Sequence, residues 1–223
     1  MDKPLNIITV PPKQQSPVVR PLVLLHGYGA NAQDLLGLRD AVAPDRTAIA
    51  IEAPIDLGPM GMPGGFAWFH IMPGESGELQ YDPASAIEAA AMLQDAISTS
   101  VQACGGRIED TVVMGFSQGA MLGHAMLLNA KIPMQGLAAC SGRMVPELFG
   151  SDSPPPVGTP VFLSHGTLDE LIPFSSGQAI ATFYNEHTET NVTWCEETVG
   201  HGIGPVTVSS LASWFIDLST AST

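Results

Sequence analysis

The stretch "DTVVMGFSQGAML", Asp110 to Leu122, decides how the rest of the chain is read. Its first half is apolar and rich in β-branched residues, as a buried strand requires. Its second half has the composition of a helix, and one serine stands between two glycines where the two meet. Gly115-Phe116-Ser117-Gln118-Gly119 is G-x-S-x-G, and strand before, helix after is the context the motif demands. A strand that turns so sharply into a helix puts the serine in a strained backbone conformation. It also leaves room for only the smallest residues two positions to either side. The hydroxyl is lifted out of the sheet edge, and the helix points its free N–H groups at the same spot. An oxyanion forming there would be held chiefly by the backbone N–H of Gln118.

The flanking sequence supports such a sheet. Apolar runs recur at 21–27, 46–54, 111–117, 136–142, 160–166 and 191–197, each closed by glycine, proline or a polar turn. Near-continuous apolarity marks parallel strands covered on both faces. Helical patterns alternate with them: "NAQDLLGLRDAVAP", "DPASAIEAAAMLQDAISTSVQACGG", "QGAMLGHAMLLNA", "SSGQAIATFYNEH" and "PVTVSSLASWFIDLS". In the second, Asp82 is the expected N-cap, Pro83 opens the first turn and Gly105 ends the helix. The alternation predicts one α/β domain over residues 1–223, with its core at about 20–218, a mostly parallel central sheet and helices on both faces. "SDSPPPVGTP" (151–160) reads as a surface loop.

The chain has 223 residues, 45% of them hydrophobic, and a net charge of −14 with no Lys or Arg after Arg143. Such a charge repels phosphate backbones and anionic lipid, so neither nucleic acid nor a stable membrane anchor is expected. The uncharged run 111–130 is long enough to span a bilayer, but Gln118, His124, Asn129 and three glycines make it a buried strand and helix instead. Cys104, Cys140 and Cys195 are too few and too scattered for a disulfide framework or structural zinc. No secretory leader is read at the N-terminus, so a reducing cytoplasmic setting is the expectation, with no metal and no cofactor.

A serine hydroxyl needs a base, and the base an orienting acid, each in a loop after a later strand. His201, in "TVGHGIGP", follows a strand pattern and precedes a helix between glycines. His187 ends a helical pattern beside acidic residues and reads as a solvated helix end. For the acid, the strand of "PVFLSHGTLDELIP" leads into Asp169, with Glu170 and Asp152 as alternatives. Asp169 would accept from the imidazole and hold its productive tautomer. His26 and His165 read as hydrogen-bonded histidines that fix turns, and His124 as a satisfied core residue.

With "LLHGYGANAQDL", "GFSQGAML", "HGTLDELIP" and "GHGI" in this order and spacing, the chain resembles the phospholipase/carboxylesterase family of α/β-hydrolases over roughly 21–217. Acyl-protein thioesterases and lysophospholipases are its best-known members. The resemblance implies an α/β-hydrolase fold, Ser117, Asp169 and His201 as a catalytic triad, and the backbone N–H of Tyr28 as second oxyanion donor beside Gln118. Relatives usually carry leucine where Tyr28 stands and aspartate where His70 stands, so no role carries over to His70.

Residues 54–81 form a long excursion rich in Gly, Pro and Met with no structure of its own expected. Trp68, Phe69 and Met72 from it, with Leu171, are the expected substrate contacts. The length leaves no room for a separate cap domain. The expected activity is that of a serine carboxylesterase on short-to-medium acyl esters, thioesters or lysophospholipids, acting as monomer or homodimer. A ligand-binding protein that no longer reacts and an acyltransferase are the alternatives.

Overall fold

The computed structural model describes residues 5–13, 18–73, 79–129, 132–145, 148 and 158–221. The elements in chain order are β1 (Ile7–Val10), β2 (Pro21–Leu25), α1 (Leu36–Val42), β3 (Thr47–Ile51), β4 (Ile55–Asp56), β5 (Phe66–Ala67), β6 (Ile71–Pro73), β7 (Leu79–Tyr81), α2 (Pro83–Ala103), β8 (Val112–Phe116), α3 (Gln118–Leu128), β9 (Gly136–Cys140), β10 (Val161–Gly166), α4 (Phe174–His187), β11 (Val192–Glu197) and α5 (Pro205–Ala221). Seven strands form the central sheet in the order β1-β3-β2-β8-β9-β10-β11. All neighbours are parallel except β1, which pairs antiparallel to β3.

The two sheet faces follow from the two-residue period of a strand. Val23, Leu25, Ile49 and Ile51 face α2, α3 and α4, whereas Leu22, Leu24, Ala48 and Ala50 face the other way, toward α1 and α5. Helices thus cover both faces, as the apolar runs require. The expected helix over 31–44 is shorter: Asn31 accepts from the Gln33 N–H through its side chain, an Asx turn that holds the chain out of helix until Leu36. The helix at 83–103 begins as read, with the Asp82 carboxylate accepting from the Ala84 and Ser85 N–H groups. Every residue of α3 is buried, which accounts for the uncharged run as interior protein.

Two expectations need correction. The sheet begins at Ile7 rather than near residue 20. β1 is a four-residue edge strand, Ile7-Ile8-Thr9-Val10, only partly buried, and its run is too short to stand out beside the longer runs of the central strands. The excursion 54–81 has structure: β4 pairs with β5 and β6 with β7, and an isolated bridge joins Ala30 to Phe66. Most of the 151–160 loop lies outside the described residues, as does Asp152.

Candidate active site

Strand β8 runs in the middle of the sheet, between β2 and β9, and Ser117 sits at the turn from it into α3. Its backbone has φ 53° and ψ −115°, a region that non-glycine residues rarely occupy. Holding it there costs about 1–3 kcal/mol. The Ser117 N–H donates to the Cys140 carbonyl at 2.9 Å and its carbonyl accepts from Met121 at 3.1 Å, so both neighbouring elements clamp the turn. The flanking glycines are required by contact. A Cβ on Gly119 would lie 2.1 Å from the Leu25 carbonyl oxygen, and one on Gly115 would lie 2.4 Å from the Gly119 backbone. Gly119→Ala is therefore expected to destabilise the fold by about 1–3 kcal/mol; a urea midpoint equal to wild type would contradict this close approach.

The two other sequence-read residues arrive from the loops after β10 and β11, beyond β9 along the sheet. His201 Nε2 lies 3.0 Å from Ser117 Oγ, and His201 Nδ1 lies 2.7 Å from Asp169 Oδ2. A carboxylate only accepts, so Nδ1 carries the hydrogen and Nε2 is left to accept from the serine. Asp169 Oδ1 in turn accepts from the Leu171 and Ile172 N–H groups at 3.0 and 2.9 Å. That fixes the carboxylate with one oxygen turned to the histidine. Glu170 is exposed and His187 lies at the end of α4, so neither alternative joins this chain of hydrogen bonds.

Backbone contact between the two loops makes the meeting reproducible. A Cβ on Gly166 would stand 2.2 Å from the Gly200 carbonyl oxygen. The Thr167 and Leu168 N–H groups donate to Glu197 and Val199, continuing the β10–β11 pairing past the strand ends. His165 supports the acid from behind: buried, it donates through Nε2 to the Ile172 carbonyl at 2.8 Å and has Asp169 Oδ2 at 3.4 Å. The His201 loop is anchored at its far end by Glu197, whose carboxylate accepts from the Val206 and Thr207 N–H groups and the Thr207 hydroxyl at the start of α5.

Burial pulls the Glu197 carboxyl upward, but these hydrogen bonds outweigh it and hold it below the usual glutamate range. Its stabilising contribution is complete above that usual range and is lost as pH falls through the lowered folded value. Urea midpoints measured from pH 6 down to pH 3 should fall less steeply in Glu197→Gln than in wild type. Parallel curves would show that the cap does not anchor the loop.

The turn carrying Tyr28 faces Ser117 across the cavity mouth. Gly29 has φ +80°, its N–H donates to Phe66, and Phe66 donates back to Ala30. His26 is buried, which lowers its pKa and keeps it neutral; it donates from Nδ1 to the Gly27 carbonyl and accepts the Ala53 N–H at Nε2. It fixes this turn, as read. Gln118 is tied by its side chain, which accepts from the Trp68 N–H and donates to the Phe69 carbonyl. Among the described residues the backbone N–H groups of Tyr28 and Gln118 meet no acceptor, and both residues line the cavity.

That cavity has a volume of about 400 Å³ and a mainly apolar wall. Phe69, Met72 and Leu171 line it, together with Ser117 and His201. Trp68 does not. It is buried, and its indole N–H donates to the His26 carbonyl at 2.8 Å, so it braces the turn instead of meeting a ligand. His70 is exposed and its backbone bonds to Asp82 and Ser85 instead. The sequence reading missed Tyr81, Met121 and Arg143, which also line the cavity. Only the isolated position of Arg143, the last cation of the chain, offered a hint. His124 departs from its reading in part: Nδ1 meets the Tyr184 hydroxyl at 2.9 Å, but Nε2 is buried without a partner.

Among the described residues no group of three His, Cys, Asp or Glu side chains is placed to hold a metal, and no helix is long and apolar enough to cross a membrane. Residues 6–219 match the model of the family described as Phospholipase/Carboxylesterase. The chain is 26% identical over 207 residues to acyl-protein thioesterase 1 of Yarrowia lipolytica (strain CLIB 122 / E 150), spanning 86% of this chain and 89% of that protein. It is 24% identical over 195 residues to the putative hydrolase MhqD of Bacillus subtilis (strain 168), spanning 87% and 91%. Of solved structures, esterase PE8 superposes with a TM-score of 0.78 at 26% identity, covering 97% of this chain and 100% of that one.

Proposed function

We propose, for a chain that belongs to the phospholipase/carboxylesterase family of α/β-hydrolases and is a carboxylic ester hydrolase, that it works as a serine esterase through an acyl-enzyme. The observation that carries this reading is the continuous line from Ser117 Oγ through His201 to Asp169, at 3.0 and 2.7 Å, opening into an apolar cavity. His201 Nε2 takes the Ser117 proton as Oγ attacks the ester carbonyl. The backbone N–H groups of Tyr28 and Gln118 receive the developing oxyanion, each donor being worth about 3–4 kcal/mol of barrier in comparable sites. The imidazolium, held in place by Asp169, then protonates the departing alcohol. Water enters, gives its proton to His201, and releases the acid in the reverse sense.

Substrate class follows from the cavity. At about 400 Å³ it lies near the lower end of ligand pockets, roughly 300–1,000 Å³. Its phenylalanine, methionine and leucine lining suits an acyl chain of short to medium length. The leaving group is an alcohol or a thiol. A panel of p-nitrophenyl esters of graded length, run beside lysophosphatidylcholine and a palmitoyl-thioester peptide, tests this. kcat/KM is expected to peak at short or medium acyl groups. Turnover confined to the two long-chain substrates would overturn the assignment of acyl length.

A further inference from the structure

Arg143 is out of keeping with the rest of the cavity. The wall is apolar and the chain carries a net charge of −14, yet one guanidinium opens onto the same space as Ser117 and His201. Arg143 follows β9, half-buried, with its guanidinium carbon 4.6 Å from the centroid of the Tyr81 ring. Of the other arginines, Arg20, Arg39 and Arg107 pair with aspartate or glutamate, and Arg46 donates to the Pro21 and Asp110 carbonyls and to the Gln135 side chain. Among the described residues Arg143 meets no carboxylate and no carbonyl, and its partner is the face of Tyr81. A stacked guanidinium keeps its edge N–H groups available, and their fork matches the two oxygens of a carboxylate.

His201 also borders a second cleft, of about 340 Å³, on its other side. That cleft is lined by Asp34 with Leu35, Leu38 and Val208, so it offers an anion a like charge. The two spaces that His201 borders therefore differ in electrical sign. The net charge of the chain does not cancel this difference, because distant surface charges are screened over about 8–10 Å at physiological salt.

We infer that Arg143 is a specificity-determining residue, and that the esters this enzyme prefers carry a carboxylate on the acyl group, away from the scissile bond, as in a monoester of a dicarboxylic acid. The acyl chain lies along the apolar wall and its distal carboxylate pairs with Arg143, while the alcohol portion leaves past His201 toward the Asp34 side. This inference rests on the serine-esterase reading above and adds the charge and orientation of the substrate to it.

The test uses the full chain and three ethyl or hexanoyl esters followed by acid release. Monoethyl adipate carries the charge on the acyl side, ethyl adipamate is its neutral isostere, and the hexanoyl ester of glycolate carries the charge on the alcohol side. The measured quantity is kcat/KM for monoethyl adipate divided by that for ethyl adipamate. In Arg143→Gln this ratio is expected to fall about 10- to 100-fold, the effect of one lost charge-assisted pairing. Arg143→Lys, which keeps the charge without the fork, should fall between the two. The same comparison repeated with monoesters of longer diacids guards against a chain too short to reach.

A ratio that Arg143→Gln leaves unchanged across the series overturns the inference. So does a preference for the alcohol-borne charge that depends on Arg143. Labelling of Ser117 by a fluorophosphonate in the same preparations separates the two levels of the account. If Ser117 is labelled and ethyl adipamate is hydrolysed while the ratio does not move, this inference alone fails. If neither occurs, the serine-esterase reading fails and takes the inference with it.

Discussion

Ser117→Ala is expected to lower kcat by about 10⁴- to 10⁶-fold while leaving the fold intact. Among the described residues the hydroxyl makes one side-chain hydrogen bond, to His201, and the backbone bonds that clamp the turn do not involve it. Alanine keeps the Cβ and inherits the same strained φ, so the unfavourable conformation is not made worse. Thermal unfolding should shift little, because the strain and the contacts at Gly115 and Gly119 remain. The residual rate reflects binding and the two N–H donors acting on attack by water. Turnover within tenfold of wild type on a short p-nitrophenyl ester would remove Ser117 from the mechanism.

Asp169→Asn should cost about 10³- to 10⁴-fold in kcat. The substitution is nearly isosteric, and the oxygen that accepts from Leu171 and Ile172 can stay a carbonyl, so the loop has reason to hold its shape. What changes is the atom facing His201. An amide NH₂ there donates, so the imidazole must present Nδ1 as acceptor and keep its hydrogen on Nε2, the atom that has to receive the serine proton. The loss therefore appears as the wrong tautomer. Reaction of Ser117 with a fluorophosphonate should slow alongside kcat, whereas KM should change far less. A loss below tenfold would mean that another group orients His201, with Glu170 the first to examine by Glu170→Gln.

The parts of this molecule that could be read from the chain are those in which one residue's chemistry and one element's position coincide. Gly115, Ser117 and Gly119 are constrained by contacts within two residues of each other and with one neighbouring strand, so their spacing carries the turn. His201 and Asp169 follow apolar runs that end in glycine-rich turns, and parallel strands deliver their C-terminal loops to one edge of the sheet. Trp68 was misjudged for a different reason. An aromatic residue in a Gly- and Pro-rich excursion looks the same in sequence whether it faces a ligand or the core, and only the bond from its indole to His26 decides. Tyr81 and Arg143 are 62 residues apart in sequence and stack by tertiary packing alone, which no local pattern records. β1 escaped notice because its run, Ile7-Ile8-Thr9-Val10, is only four residues long and half-covered, too short to separate from an extended tail.

The central claim is that His201 and Asp169 make the Ser117 hydroxyl a nucleophile. Intact-protein and peptide mass spectrometry after treatment with a fluorophosphonate measures this directly. One phosphonyl group per chain, located on Ser117 and formed far more slowly in Asp169→Asn, is the predicted result. An unmodified Ser117, or an adduct on another residue while Ser117 stays free, would contradict it.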